Sequence, residues 1–359
     1  AGRGSVGGAP ALGGVWGIGS AATQHDRLLA ACKLACLAFA AEGEAASLRR
    51  LLPLRALCTF GSARSTWLTH TADILLRGAL LRGERAAAGQ LLDGYVALLA
   101  ATDGPSDAAW GAKLELMIQN GQLLEALTHA EELRGTTTTG RGAGGSAPQV
   151  VCLLAQAKAH SLGAAPINAL MPALGAMALS EGRGLRAHAA AAALALAGAQ
   201  VELDPPAALS LLHRHRAHVM HAGCAHQTAA YQLLIGRCRL AALPPYKKSS
   251  PPSAQALQAH TLPTLEEALR GFGRLRAHAD AAETAYYISR VLHSIGDIPG
   301  RDAAATLFVA AEEAAVQAAA RPAGALVRFA DPGVLEAHLG EMARLDREAA
   351  AIYSLRGGD

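Results

Sequence analysis

Glycines recur along this chain at a nearly constant step, each between two helical runs. Gly43, Gly83, Gly121, Gly163 and Gly198 stand 35 to 42 residues apart. A step of that size holds one helix, a turn and a second helix. A lone hairpin of that kind leaves its apolar stripe uncovered, so the units must stack in a row. This interval predicts an all-α chain and argues against any fold built on strand pairing.

The stretch from Ala63 to Arg134 shows the unit twice. Leu75, Leu76, Leu80 and Leu81 precede the turn Arg82-Gly83-Glu84, and Ala88, Leu92, Tyr95 and Leu99 follow it. Trp110, Leu114, Met117 and Ile118 then precede Asn120-Gly121, with Ala126, Ala130 and Leu133 beyond. Spacings of three and four place each set on one helical face. Trp110 and Ala126 fall where a tetratricopeptide repeat puts its bulky first-helix residue and its small second-helix residue. The expected fold class is therefore a tetratricopeptide-like helical-hairpin solenoid, an α-α superhelix. Trp67, Leu92, Trp110, Ala126, Ala304 and Phe308 are its expected packing positions. Apolar residues make up 51% of the chain and aromatics only 4%, so the contacts fall to Ala and Leu, which suit closely spaced helices.

In chain order, residues 1–22 are Gly-rich and expected to be disordered. Hairpins are expected over 23–320, with a helix bent at Pro53, a bend at Gly198 and a helix opened by Asp204-Pro205-Pro206. Loop insertions are expected near 135–147 and 244–261, where TTTTGRGAGG and PPYKKSSPPS interrupt the pattern. Ala304, Phe308 and Ala311 follow the repeat signature closely. Residues 321–359 read as a linker and a terminal capping helix.

Composition excludes several functions. A net charge of +3 is too small to imply nucleic acid, and no basic face carries interleaved aromatics. Five lysines among 32 basic residues mark a compositional bias, which lowers the chemical weight of any one arginine. The longest nearly uncharged run, Ala189 to Val201, is too short to span a bilayer, and no secretory signal is evident. Cys32, Cys36, Cys58, Cys152, Cys224 and Cys238 include no CxxC pair and read as reduced, structural thiols.

The segment HRHRAHVMHAGCAH carries His213, His215, His218, His221, Cys224 and His226. Steps of three rotate around a helix, so His215, His218, His221 and Cys224 cannot all face one ion. Gly223 is expected to end that helix, and no carboxylate nearby in sequence is placed to orient the imidazoles. No metal, cofactor or catalytic residue is expected. The strings Gly140-x-Gly142-x-x-Gly145 and Gly2-x-Gly4-x-x-Gly7 follow no strand and do not make a phosphate cradle. Ser250, which precedes Pro251 beside Lys247 and Lys248, is a candidate phosphorylation site.

Between Tyr231 and Ala314 the residues carry a family resemblance. Arg237-Cys238-Arg239-Leu240-Ala241, the Ala268-to-Leu275 helix with Phe272, the helix with Tyr287, Arg290 and Leu292-His293, and the helix with Leu307-Phe308 resemble the carboxy-terminal repeats of the subunit 5 family of the anaphase-promoting complex. Trp67 to Leu99 and Trp110 to Leu133 are compatible with its earlier repeats. That resemblance implies a non-catalytic scaffold in a cell-cycle ubiquitin ligase of nucleus and cytoplasm. It implies as partners the largest subunit, subunit 4 and the repeat subunits of the arch, with no nucleic acid or membrane. The family's amino-terminal domain is not evident. A second reading of the pattern is the sensor region of a bacterial ligand-responsive transcriptional regulator, which an attached ATPase or DNA-binding domain would mark.

Overall fold

A computed structural model describes residues 21–58, 61–101, 107–139, 146–241 and 254–353. Every regular element among these residues is helical. The first hairpin is α1 (Ala21–Glu42) and α2 (Glu44–Leu51), after which Pro53 tightens the chain into a 3₁₀ turn over Leu52–Leu57. Then come α3 (Gly61–Leu81) with α4 (Arg85–Ala101), α5 (Asp107–Gln119) with α6 (Leu123–Thr139), and α7 (Ser146–Leu162) with α8 (Pro166–Gly182). Next, α9 (Arg186–Val201) pairs with α10 (Pro205–Ala222). α11 (Ala225–Ala241) pairs with α13 (Leu262–Leu275), which is entered through α12 (Ala254–Ala256) and one π turn, Leu257–Thr261. α14 (His278–Ile295) pairs with α15 (Ile298–Ala320). A 3₁₀ turn at Gly324–Arg328 leads to α16 (Pro332–Ile352).

The turns follow the glycine rule with two corrections. Gly43, Gly83, Gly121 and Gly296 adopt the positive φ that lets a chain reverse after a helix. At the turn after α7 the left-handed residue is Ala164 (φ 56°) rather than Gly163. The expected bend at Gly198 does not exist. α9 runs unbroken through it and turns at residues 202–204, where Asp204 caps α10 by accepting from Ala207 N at 3.1 Å. Gly198 lies inside α9, where a Cβ would make only an ordinary 3.9 Å contact with Leu234. Thr136–Thr139 continue α6 and Ser146 opens α7, so of the first expected insertion only 140–145 lie outside the described residues. Ala254–Thr261, expected in a loop, are helical.

Curvature follows from which helices meet. α1, α3, α5, α7, α9, α11 and α14 pack in succession, each on the next first helix, whereas the second helices touch one another little. Elements on the inside of a bend are the closer ones, so the first helices line the inner wall. Alanine makes that closeness possible: Ala189, Ala190, Ala192, Ala193, Ala197 and Ala199 of α9 are all buried.

The array is not open-ended. α15 packs on α4, the Gly324–Arg328 turn packs on α4, and α16 lies between α2 and α13. Phe329 and Leu335 join the apolar cluster of Leu48, Trp67 and Tyr95, while Ala349 and Tyr353 join that of Phe272 and Ile288. α16 is thus a strut between two cores at opposite ends of the array.

Candidate interaction surface

The inner wall is built from ion pairs between successive first helices. Lys158 of α7 lies 2.6 Å from Glu115 of α5, and His226 of α11 lies 3.0 Å from Asp280 of α14. Arg237 of α11 reaches Glu202 at 2.7 Å and Glu283 at 2.9 Å, its guanidinium 5.4 Å from the centre of the Tyr287 ring. Gln119 donates both to Glu115 and to Leu80 O at 2.9 Å, tying the ladder to α3. The charges act over more than nearest neighbours. Burial opposes ionisation of Glu115, but Lys158, then Gln119 and last His226 pull its carboxyl down. Lys158 is likewise disfavoured by burial and pushed up by Glu115, with Asp280 adding to the effect.

This electrostatics fixes what the wall can do. Lys158 is held as an ammonium, the opposite of what an amine nucleophile needs. Two thiols of α1 are held protonated too: burial raises Cys32 to about 12 and Cys36 to about 11. Paired charged groups of this kind suit recognition of a complementary polar surface.

Beyond Glu283, which borders both surfaces, the outer side of α14 and α15 is different. A groove of about 580 Å³ is lined by Ala279, Ala282, Glu283, Tyr286, Phe308, Glu312, Ala315 and Val316. Tyr286 is 47% exposed and Val316 71% exposed. Arg290 sits 5.8 Å from the Tyr286 ring centre and 5.9 Å from that of Tyr287. By length and composition α15 is apolar enough to cross a membrane, yet Ala304, Leu307 and Ala311 are spent on the core and Val309 and Val316 face outward. Aromatic and arginine side chains around an apolar trough are the composition of interface hot spots.

A third feature joins the ends of the array. Arg82, at the α3–α4 turn, is buried and bonds the carboxylates of Glu44 and Glu84, the latter at 2.7 Å. His338 of α16 approaches Glu44 at 2.8 Å, and Arg321 approaches Glu84 at 3.4 Å. Arg276, left-handed at φ 55° and buried, contacts Asp346 of α16 at 3.1 Å. His278 shares a 2.6 Å hydrogen bond with Tyr353. Burial alone would raise the Glu44 carboxyl, but Arg82 and His338 outweigh it and hold it at about 2. Burial, together with Arg276 and Arg321, depresses His278 to about 4.

The residues singled out in sequence separate in space. Trp67 is buried in the first core, its indole Nε1 donating to Leu51 O at 2.8 Å. Leu92, Ala126 and Ala304 are buried, while Trp110 and Phe308 are half-buried. Phe308 lies on the outer groove, and its neighbour Leu307 points into the core. Ser250 and both glycine strings lie outside the described residues. α10 ends at Ala222 with Gly223 extended, and His226 belongs to the inner wall rather than to the His-rich strip. A carboxylate from another hairpin does approach that strip: Glu181 of α8 lies 3.8 Å from His215, beyond hydrogen-bond reach. No local spacing could reveal it, because it arrives from another hairpin. The ionic closure was equally invisible, for Glu44, Arg82 and His338 are ordinary surface types with no motif.

No family model matches the chain. It is distantly similar to anaphase-promoting complex subunit 5 of Homo sapiens, with 27% identity over 250 residues, or 67% of this chain. The counterpart from Pongo abelii matches to the same extent. The chain spans 31% of the length of these relatives.

Proposed function

We propose that this chain is a non-catalytic scaffold segment of an anaphase-promoting-complex assembly, and that it corresponds to the repeat region of subunit 5. The observation that carries this reading is the uncovered Tyr286–Phe308–Val316 groove on a closed hairpin array, beside a wall whose Lys158 and Arg237 are paired with carboxylates. The distant similarity to subunit 5 supports this choice of assembly. Its partners in this reading are the largest subunit, subunit 4 and the repeat subunits of the arch, in nucleus and cytoplasm. The outer groove takes an apolar segment of a neighbouring subunit, and the polar inner wall fixes register.

Affinity purification of the tagged protein from dividing cells, followed by protein identification, tests the proposal. Recovery of cullin, RING and repeat subunits in stable proportion is expected. Elution as an isolated chain, with none of them, overturns it.

A further inference from the structure

We propose that Glu181, His215 and His218 form a binding site for a divalent metal of the zinc class, clipping α8 to α10. The inference stands on geometry that crosses two hairpins. His215 and His218 are one turn apart on α10, with ring centres 5.8 Å apart. Glu181 closes α8, and one donor atom from each of the three lies within 4.8 Å of the others. His213 and His221, on the same helix, do not join the group.

The second observation is a buried polar atom without a partner. His215 is only 7% exposed, yet its Nδ1 makes no hydrogen bond, since Glu181 at 3.8 Å is too distant for one. An orphaned buried nitrogen is unfavourable and demands an explanation, which a metal ion supplies.

Two imidazoles and one carboxylate make the ligand set of zinc, whereas calcium and magnesium want oxygen alone. Bonds of about 2.0–2.1 Å place tetrahedral ligands roughly 3.3–3.5 Å apart. Glu181 and His218 are both exposed and free to swing inward by that difference, while His215 is fixed by its surroundings. Water fills the fourth position. α8 and α10 meet mainly through α9, so such an ion adds a direct link between them and sets the pitch between adjacent hairpins.

Untagged full-length protein is titrated with zinc against a chromophoric chelator, and with cobalt as a spectroscopic substitute. One zinc per chain and the visible bands of tetrahedral cobalt are expected. His218→Ala and Glu181→Gln should each weaken zinc binding roughly tenfold or more, with unchanged helical circular dichroism, and His221→Ala should leave it unaltered. Absence of stoichiometric zinc binding overturns the proposal. So does zinc affinity that neither His218→Ala nor Glu181→Gln changes, which would place the ion elsewhere. None of these outcomes depends on whether the chain joins a larger assembly.

Discussion

His338 and Glu44 are 294 residues apart in the chain, and the imidazole Nε2 lies 2.8 Å from the carboxylate Oε1. A stacked array is held by contacts between neighbours, so a buried contact at this separation is a different kind of bond. It pins the last helix to the first hairpin, and with it the curvature of every hairpin between.

Truncating Glu44 should be costly out of proportion to its size. Arg82 is buried against Glu44 and Glu84, so Glu44→Ala leaves a buried guanidinium half-compensated. Breaking a buried pair from one side costs about 3–5 kcal/mol. Urea unfolding should show that loss for Glu44→Ala. A change below about 0.5 kcal/mol would mean that the contact is not formed in solution.

Acid should unfold the protein in two separable windows. His278 is depressed from 6.5 to about 4, so the unfolded chain binds the proton more readily and stability falls as pH drops through that interval. Glu44 is depressed from 4.5 to about 2, so its contribution is present above 4.5 and is lost as pH falls toward 2. Thermal midpoints measured across pH should decline in both ranges. His278→Gln should flatten the upper one and leave the lower.

Gly273→Ala should release the closing helix. A Cβ at this position would lie 2.8 Å from Tyr353 Cδ2 and 3.0 Å from Cγ, and the ring is anchored by its hydrogen bond to His278. Overpacking of this kind costs about 1–3 kcal/mol. Hydrogen exchange should accelerate over residues 332–353 and stay unchanged in α5 to α10. Uniform protection in the variant would show that α16 is not held there.

The outer groove predicts a separation of binding from stability. Val316 is 71% exposed, so Val316→Asp should shift folding stability by no more than about 0.5 kcal/mol. Tyr286→Asp and Val316→Asp should nevertheless abolish recovery of neighbouring subunits in purifications from cells. Full recovery with both variants would move the interface elsewhere.

How much of this was readable beforehand depends on the range of the interaction involved. Hairpins were legible because a helix, a left-handed glycine and a second helix are local events, and Gly43, Gly83 and Gly121 do what their spacing implies. Gly198 misled because a glycine inside a helix is tolerated at modest cost: there it continues α9 rather than reversing the chain. Trp67 and Phe308 look equivalent as large apolar residues, yet one fills a core and the other edges a groove. The difference is set by neighbouring helices, which periodicity does not reveal. The closure by His338, Arg321 and Arg276, and the approach of Glu181 to His215, are long-range results of superhelical pitch, which no short pattern encodes.

Closure of the array through α16 is tested most directly by a double-mutant cycle on Glu44→Gln and His338→Gln, with unfolding free energies measured for all four proteins. Contacting residues couple by about 0.5–3 kcal/mol, and a coupling of about 1 kcal/mol or more is expected here. Strict additivity of the two substitutions would contradict the closed array.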